Sequence, residues 1–288
     1  MAIKIASYSV DSNNLGDHIQ IIAQLRLLKQ LDLEPEIYLD RDSGIQPVSS
    51  DKFFLVMNGW HKRCGEIWPP SDNIIPLFIG FHARNREGLF DNVTNQTSVD
   101  YFKMHQPIGC RDLHTFNLLN QQAIDCYTSN CLTTTLPKRR ATTSQNKIFV
   151  ASRDKDILNI LPKDIASQCE YINHYSHTSN FDDNMILAEK LLDNYRDNAK
   201  LVITTFLHCA LPCIAMGIPV IVFYPNFEVN SPQHSSDQQR MSTLAGMTTC
   251  YRFGEMDAVN WSVAAIDTEN RKRQLIQYFN TQVASLLK

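Results

Sequence analysis

Two doubly wound α/β domains in tandem are the fold the sequence predicts, and three observations predict it. Apolar runs such as Ile3 to Val10, "FFLVMNGW" and "LVITT" lack polar alternation, as strands buried on both faces of a parallel sheet do. Helical patterns separate these runs, as the crossovers between parallel strands require. The scheme then starts afresh after a polar, basic interruption, "PKRRATTSQN" from Pro137 to Asn146. That linker divides the 288 residues into an N-terminal domain, 1–137, and a C-terminal domain, 146–288.

The elements follow in order. Ile3 to Val10 is a strand, and "DSNNLGD" leads into an amphipathic helix with Ile21, Ile22, Leu25 and Leu28 at helical spacing. "EPEIYLD" and "FFLVMNGW" are the next strands, the second closed by an Asn58-Gly59 turn signal. "NIIPLFIGFH" is a fourth strand ending at His82, and "QPIGC" a fifth, followed by a helix from about Asp112 to Gln122. Past the linker come the strands "KIFVAS" and "CEYINHY". The helix "DDNMILAEKLLDNYRDN" follows, with Asp182 or Asp183 near its N-cap. The run from Leu201 to Pro225 is long enough to cross a membrane, but His208, Pro212, Gly217 and Pro219 interrupt it. It reads as strand, helix, strand, and a C-terminal helix from about Asp267 to Leu287 closes the chain.

Composition narrows the function. Hydrophobic residues make up 43% and charged residues 20%, the balance of an ordinary soluble protein. A net charge of −3 gives no basic excess for nucleic acid or for an anionic membrane as the main partner. The eight cysteines, including Cys64, contain no C-x-x-C pair, so buried free thiols in a reducing compartment are expected. No signal peptide is visible, the expected location is the cytoplasm, and the sequons at Asn92, Asn95 and Asn260 then carry no glycan.

Open α/β folds bind ligands beyond the carboxyl ends of their strands. Asn14, Gly16 and Asp17 lie in the first such loop, where they make either a helix cap or a substrate loop. His82 ends the fourth strand, and Arg111 and Asp112 follow the fifth. A guanidinium placed there suits forked binding of a carboxylate or phosphate, whereas Asp112 suits a helix N-terminus. Arg153 has the same placement in the second domain. The triplets Asp40 to Asp42 and Asp154 to Asp156 read as solvated turns, not as metal sites. His208 follows a strand end and is either a satisfied core histidine or the working end of a site. Pro212, four residues later, removes the helical bond to its carbonyl, which leaves the backbone around it suited to an anion. A metal held by His208, Cys209 and Cys213 is not expected, since no fourth ligand accompanies them.

The stretches "NNLGD", "IGCRDLHT", "NCLTTTLP", "AKLVITTFLHCALPCIAMGIPVIV" and "DQQRMSTLAGM" stand in the order seen in the polysaccharide pyruvyl transferase family, which this chain resembles over both halves. The resemblance implies two Rossmann-like domains facing a cleft, a glycosyltransferase-B-like fold with the acceptor on the N-terminal side and the donor on the C-terminal side. It implies transfer of a pyruvyl group from phosphoenolpyruvate, as co-substrate without further cofactor or metal, to two hydroxyls of a sugar. That sugar belongs to a surface polysaccharide or its precursor, and peripheral contact with a lipid-linked glycan goes with it. His208 matches the histidine of the family's Ser-Arg-Leu-His block and takes the part of general acid. Asp17 is a base or a sugar-hydroxyl acceptor, and Arg111 is the anion clamp. Asn14, Gly16, His82, Asp112, Arg153, Phe206, Leu207 and Arg240 complete the expected binding set. Phe206 departs from the pattern, because the family has arginine before Leu-His. Two other functions remain open on the same residues: a glycosyltransferase using a nucleotide-sugar, with Phe206 packed on a base or sugar face, and a noncatalytic glycan-binding relative.

Overall fold

Val, Ile and Phe runs buried on both faces give two separate parallel sheets in the computed structural model, which describes residues 3–47, 49–61, 68–83, 93–142, 144–153, 155–224 and 239–288. The first sheet holds β1 (Ile3–Ser9), β2 (Ile37–Asp40), β3 (Lys52–Trp60), β4 (Ile74–His82), β5 (Ile108–Cys110) and β6 (Cys126–Thr128). Its order is β2-β1-β3-β4-β5-β6. The second holds β7 (Lys147–Ala151), β8 (Cys169–Ile172), β9 (Ala199–Thr204), β10 (Val220–Tyr224) and β11 (Cys250–Arg252), in the order β11-β10-β9-β7-β8. Both orders run out from the first strand in opposite directions, so each sheet has a switch point: between β1 and β3 in one, between β7 and β9 in the other. This is the expected pair of Rossmann-like domains, and their switch points meet across a cleft.

The helices are α1 (Leu15–Lys29), α2 (Gln96–Met104), α3 (Leu113–Asn120), α4 (Ile157–Ile160), α5 (Lys163–Ala166), α6 (Phe181–Asn198), α7 (Leu207–Ala215) and α8 (Glu269–Leu286). One apolar cluster joins Leu15, Ile19 and Ile22 of α1 to Leu191 of α6 and to Leu207, Ala210 and Leu211 of α7. The two domains therefore share a core. The terminal helix ties them again, since Phe279 and Val283 enter that cluster and Tyr278 meets Tyr127 of β6 with ring centroids 5.0 Å apart.

Several local expectations need correction. Asn58-Gly59 does not end a strand; both residues lie inside β3, with Gly59 at φ +81°. At that level β4 advances from Phe78 to Phe81 while β3 advances only from Met57 to Gly59, so β4 carries one extra residue, with Gly80 at φ +73°. The bulge switches the alternation of β4: Leu77 and Ile79 face the α1 side, Phe78 and Phe81 pack together on the other, and His82 returns to the α1 side, where it shares a cavity wall with Asp17 and Gln20. The cap of α6 is Asn180, whose side chain accepts from Asp183 N–H at 2.9 Å, because the helix begins one residue before Asp182. Asp40 to Asp42 is not a solvated turn, since Arg41 and Asp42 are buried and paired at 3.4 Å. Lys155 and Asp156 of the other triplet are exposed, while Asp154, Cys64 and the sequon residue Asn92 lie outside the described residues. The seven described cysteines are free, and burial pushes the Cys169 and Cys250 thiols up to about 11. No helix among the described residues is long and apolar enough to cross a membrane.

Candidate active site at the domain seam

Three helices begin near this seam: α1 and α7 follow strands of the two switch points, and α3 follows β5. Asn14 caps α1, its side chain accepting from Gly16 N–H at 3.0 Å, and Asp112 caps α3, accepting from Thr115 N–H at 3.0 Å. Phe206 is the N-cap residue of α7, with its N–H donating to Thr204 Oγ1 at 2.9 Å. Helix N-termini present unpaired N–H groups and partial positive charge, so their convergence favours an anion. The seam is closed by backbone bonds, Leu15 N–H to the His174 carbonyl at 2.8 Å and Ser176 N–H to the Asn13 carbonyl at 2.9 Å.

Two adjoining cavities open there. The inner one, about 90 Å³, is lined by Asn14, Asp17, Gln20, Trp60, His82, Arg111, His208 and Arg240. The outer one, about 380 Å³, shares Asn14, Asp17, Trp60, His208 and Arg240 with it, and adds Arg153, Tyr175, Phe206, Leu207 and the 12–13 loop among others. Ten of the eleven residues expected from sequence thus line one cavity or both; Gly16 is among them, and a Cβ there would stand 3.0 Å from His208 Cβ. Asp112 alone does not line either.

His208 sits at 9% exposure with Nε2 3.4 Å from Arg111 Nη1, so the imidazole faces a guanidinium of the opposite domain. Burial, then the charges of Arg111 and Arg240, hold this histidine well below its ordinary range. Beside these two charges the ring is neutral. Arg111 also approaches Gln20 Oε1 at 3.5 Å and Asp112 Oδ2 at 3.4 Å. Asp112 accepts from His82 Nδ1 at 2.7 Å, and burial together with the Arg111 charge brings His82 down to about 3 despite that partner. Asp17 is engaged on both oxygens: Ser12 Oγ at 2.9 Å, Gln20 Nε2 at 3.4 Å and Arg41 Nη1 at 3.6 Å. Arg153 lies over the Tyr175 ring at 5.6 Å, on the outer wall. Phe206 packs on His174 at 5.1 Å and Tyr175 at 6.0 Å, so its ring forms part of an aromatic wall.

The sequence reading missed Gln20, Trp60, His174 and Tyr175. Gln20 was within reach of it, because a residue four beyond Gly16 lies on the same helical face. Trp60 and Tyr175 gave no such signal, since what brings them together is the pairing of two sheets. No group of His, Cys, Asp and Glu among the described residues could hold a metal ion.

Among solved structures the chain is similar to a protein of uncharacterised function from Klebsiella pneumoniae, at 14% identity over 87% of this chain and 93% of that one, with a TM-score of 0.48. It is also similar to a UDP-N-acetylglucosamine 2-epimerase, so described, from Listeria monocytogenes, at 9% identity over 99% and 98% of the two chains, with a TM-score of 0.43. The wall teichoic acid polymerase TagF is a third likeness, at 10% identity over 97% and 82% and a TM-score of 0.39. Among curated proteins the sequence has no match. The family model described as polysaccharide pyruvyl transferase matches residues 14–226, a span that contains the caps of α1, α3 and α7 and the switch point of the second sheet. The chain belongs to the polysaccharide pyruvyl transferase family.

Proposed function

We propose that this protein transfers the pyruvyl group of phosphoenolpyruvate to two hydroxyls of a sugar in a surface polysaccharide or its precursor. The observation that carries the reading is the inner cavity, where the N-terminal turns of α1 and α7, with Arg111 and Arg240, surround two neutral histidines. Such a chamber favours a small, highly charged anion, and phosphoenolpyruvate is one. Arg111 and Arg240 then hold its phosphate and carboxylate. The anion offsets the two guanidinium charges that keep His208 neutral, so donor binding raises the affinity of that imidazole for a proton. His208 thereby becomes the acid that protonates the methylene carbon.

The outer cavity suits the acceptor. Trp60, Tyr175 and Phe206 offer apolar faces for a sugar ring, and Asn14 and Asp17 offer hydrogen bonds to its hydroxyls. Phe206, standing where the family pattern has arginine, takes the side of the acceptor in this reading. Purified protein incubated with phosphoenolpyruvate and a broad glycan panel is expected to release phosphate with at least one acceptor, and phosphoenolpyruvate is expected to raise the melting temperature. Stabilisation by nucleotides or nucleotide-sugars without any by phosphoenolpyruvate would refute the proposal and favour glycosyl transfer.

A further inference from the structure

We propose that His82, oriented by Asp112, is the general base that takes the proton from the attacking sugar hydroxyl; the proposal rests on the pyruvyl transfer reading above. Asp112 is 1% exposed and fixed on both oxygens, Oδ2 by His82 Nδ1 at 2.7 Å and Oδ1 by the Thr115 N–H and hydroxyl, both at 3.0 Å. Burial alone would raise its carboxyl, but the bond to His82, the Arg111 charge and the Thr115 N–H overcome that and hold it well below the usual carboxylate range. An ionised carboxylate on Nδ1 fixes the proton there, which leaves Nε2 of His82 with a bare lone pair.

That lone pair is the unexplained atom of the site. Nε2 of His82 is buried, has no partner among the described residues, and belongs to a side chain that lines the inner cavity beside His208 and Arg111. A buried acceptor in a cavity wall calls for a donor from the ligand. A hydroxyl is such a donor, and Asp112 is placed to stabilise the imidazolium that forms when the proton moves. This is the orienting role of a buried carboxylate behind a histidine base. Asp17, the base expected from sequence, has both oxygens occupied and its charge opposed by Arg41.

The two histidines then divide the chemistry between the domains. The first hydroxyl gives its proton to His82 Nε2 as its oxygen bonds to C2, and the C2–C3 electron pair takes a proton from the His208 imidazolium. In the second step the C2–O bond to phosphate breaks, the electron pair leaves with the phosphate, and the second hydroxyl oxygen bonds to C2 and gives its proton to the departing phosphate. The products are the ketal and hydrogen phosphate, and the proton left on His82 passes through solvent to reload His208.

The test uses the full-length protein. His82→Gln keeps a side chain of similar reach without an imidazole; it is expected to retain the thermal shift with phosphoenolpyruvate while kcat falls about a hundredfold or more, the size of a lost general base. Asp112→Asn is expected to lower kcat as well and to move the acid limb of its pH profile. Nitrogen-15 spectra of the substrate-free wild type provide a readout independent of turnover: His82 should show its proton on Nδ1. A His82→Gln enzyme within threefold of wild type, or a proton found on Nε2, overturns the base assignment and leaves the pyruvyl transfer proposal standing. Wild-type protein that does not bind phosphoenolpyruvate overturns both.

Discussion

Arg111 is 2% exposed and points one guanidinium at Asp112, Gln20 and His208, with distances of 3.4 to 3.5 Å. Its charge opposes protonation of His208 and suits an anion that would relieve that opposition. Arg111→Gln should therefore have two opposite effects: the His208 pKa rises, read by histidine NMR titration, while phosphoenolpyruvate binding weakens about a hundredfold, read by calorimetry, as for a lost charge-assisted hydrogen bond of about 3 kcal/mol. Arg111→Lys keeps the charge without the fork and should fall between. The same coupling has a sign in pH. Because the His208 pKa is depressed beside the two guanidinium groups, an anion that offsets them would raise it, so binding should take up protons near neutrality and tighten as pH falls toward the ordinary histidine range. Calorimetry in buffers of different ionisation enthalpy measures that uptake, and a null result would remove His208 from the donor site.

At the scale of elements, the long apolar strands and the caps of α1 and α3 were legible in the sequence, because burial on both faces and an Asn or Asp before an apolar helix are local signals. The three-residue strands β6 and β11 were not, since so few residues carry no periodicity of their own. The role of Asp112 could not be read either: its position at a helix start explains it equally well with or without His82, and only the sheet pairing places those two together. Arg111 and His208 fell on one cavity because both follow strand ends, which is a rule of topology and needs no contact information. The start of α1 carries the next prediction. A Cβ on Gly16 would meet His208 Cβ at 3.0 Å and Asn14 Oδ1 at 3.1 Å, with one of those atoms in the other domain. Gly16→Ala should thus displace the imidazole and lower kcat about tenfold or more, while the melting temperature moves by only a few degrees, as measured by calorimetry.

For the whole molecule, the shared cluster of α1, α6 and α7 and the return of α8 to the first sheet make the two domains one cooperative body. Scanning calorimetry should show a single unfolding transition. That transition should be sensitive to acid for a definite reason. His61 and His82 are brought down to about 3, chiefly by burial, and His208 is lowered in the same direction. Their folded pKa values lie below the unfolded value of about 6.5, so the stability they contribute is full above that pH and lost as pH falls below it, for His61 and His82 over the range down to about 3. His61 and His82 each remove about 1.4 kcal/mol per pH unit within that window. Urea titrations at pH 7, 6 and 5 should show the midpoint falling ever more steeply, and phosphoenolpyruvate should blunt the decline if it stabilises a protonated His208.

The bulge in β4 sets a condition of a different kind. His82 faces the cleft because one strand counts three residues where its neighbour counts two, with Gly80 in the left-handed region absorbing the surplus. Drawing Gly80 out into plain extended backbone, with every residue kept, would restore two-residue alternation and exchange the directions of the last side chains, bringing the Phe81 phenyl ring toward the chamber and sending the imidazole into the aromatic layer; deleting Gly80 would instead remove the surplus and leave both side chains facing as they do. The address of this histidine therefore depends on where the surplus residue is taken up: the chain could lose that glycine and keep the imidazole on the cleft, but could not keep it and lie flat.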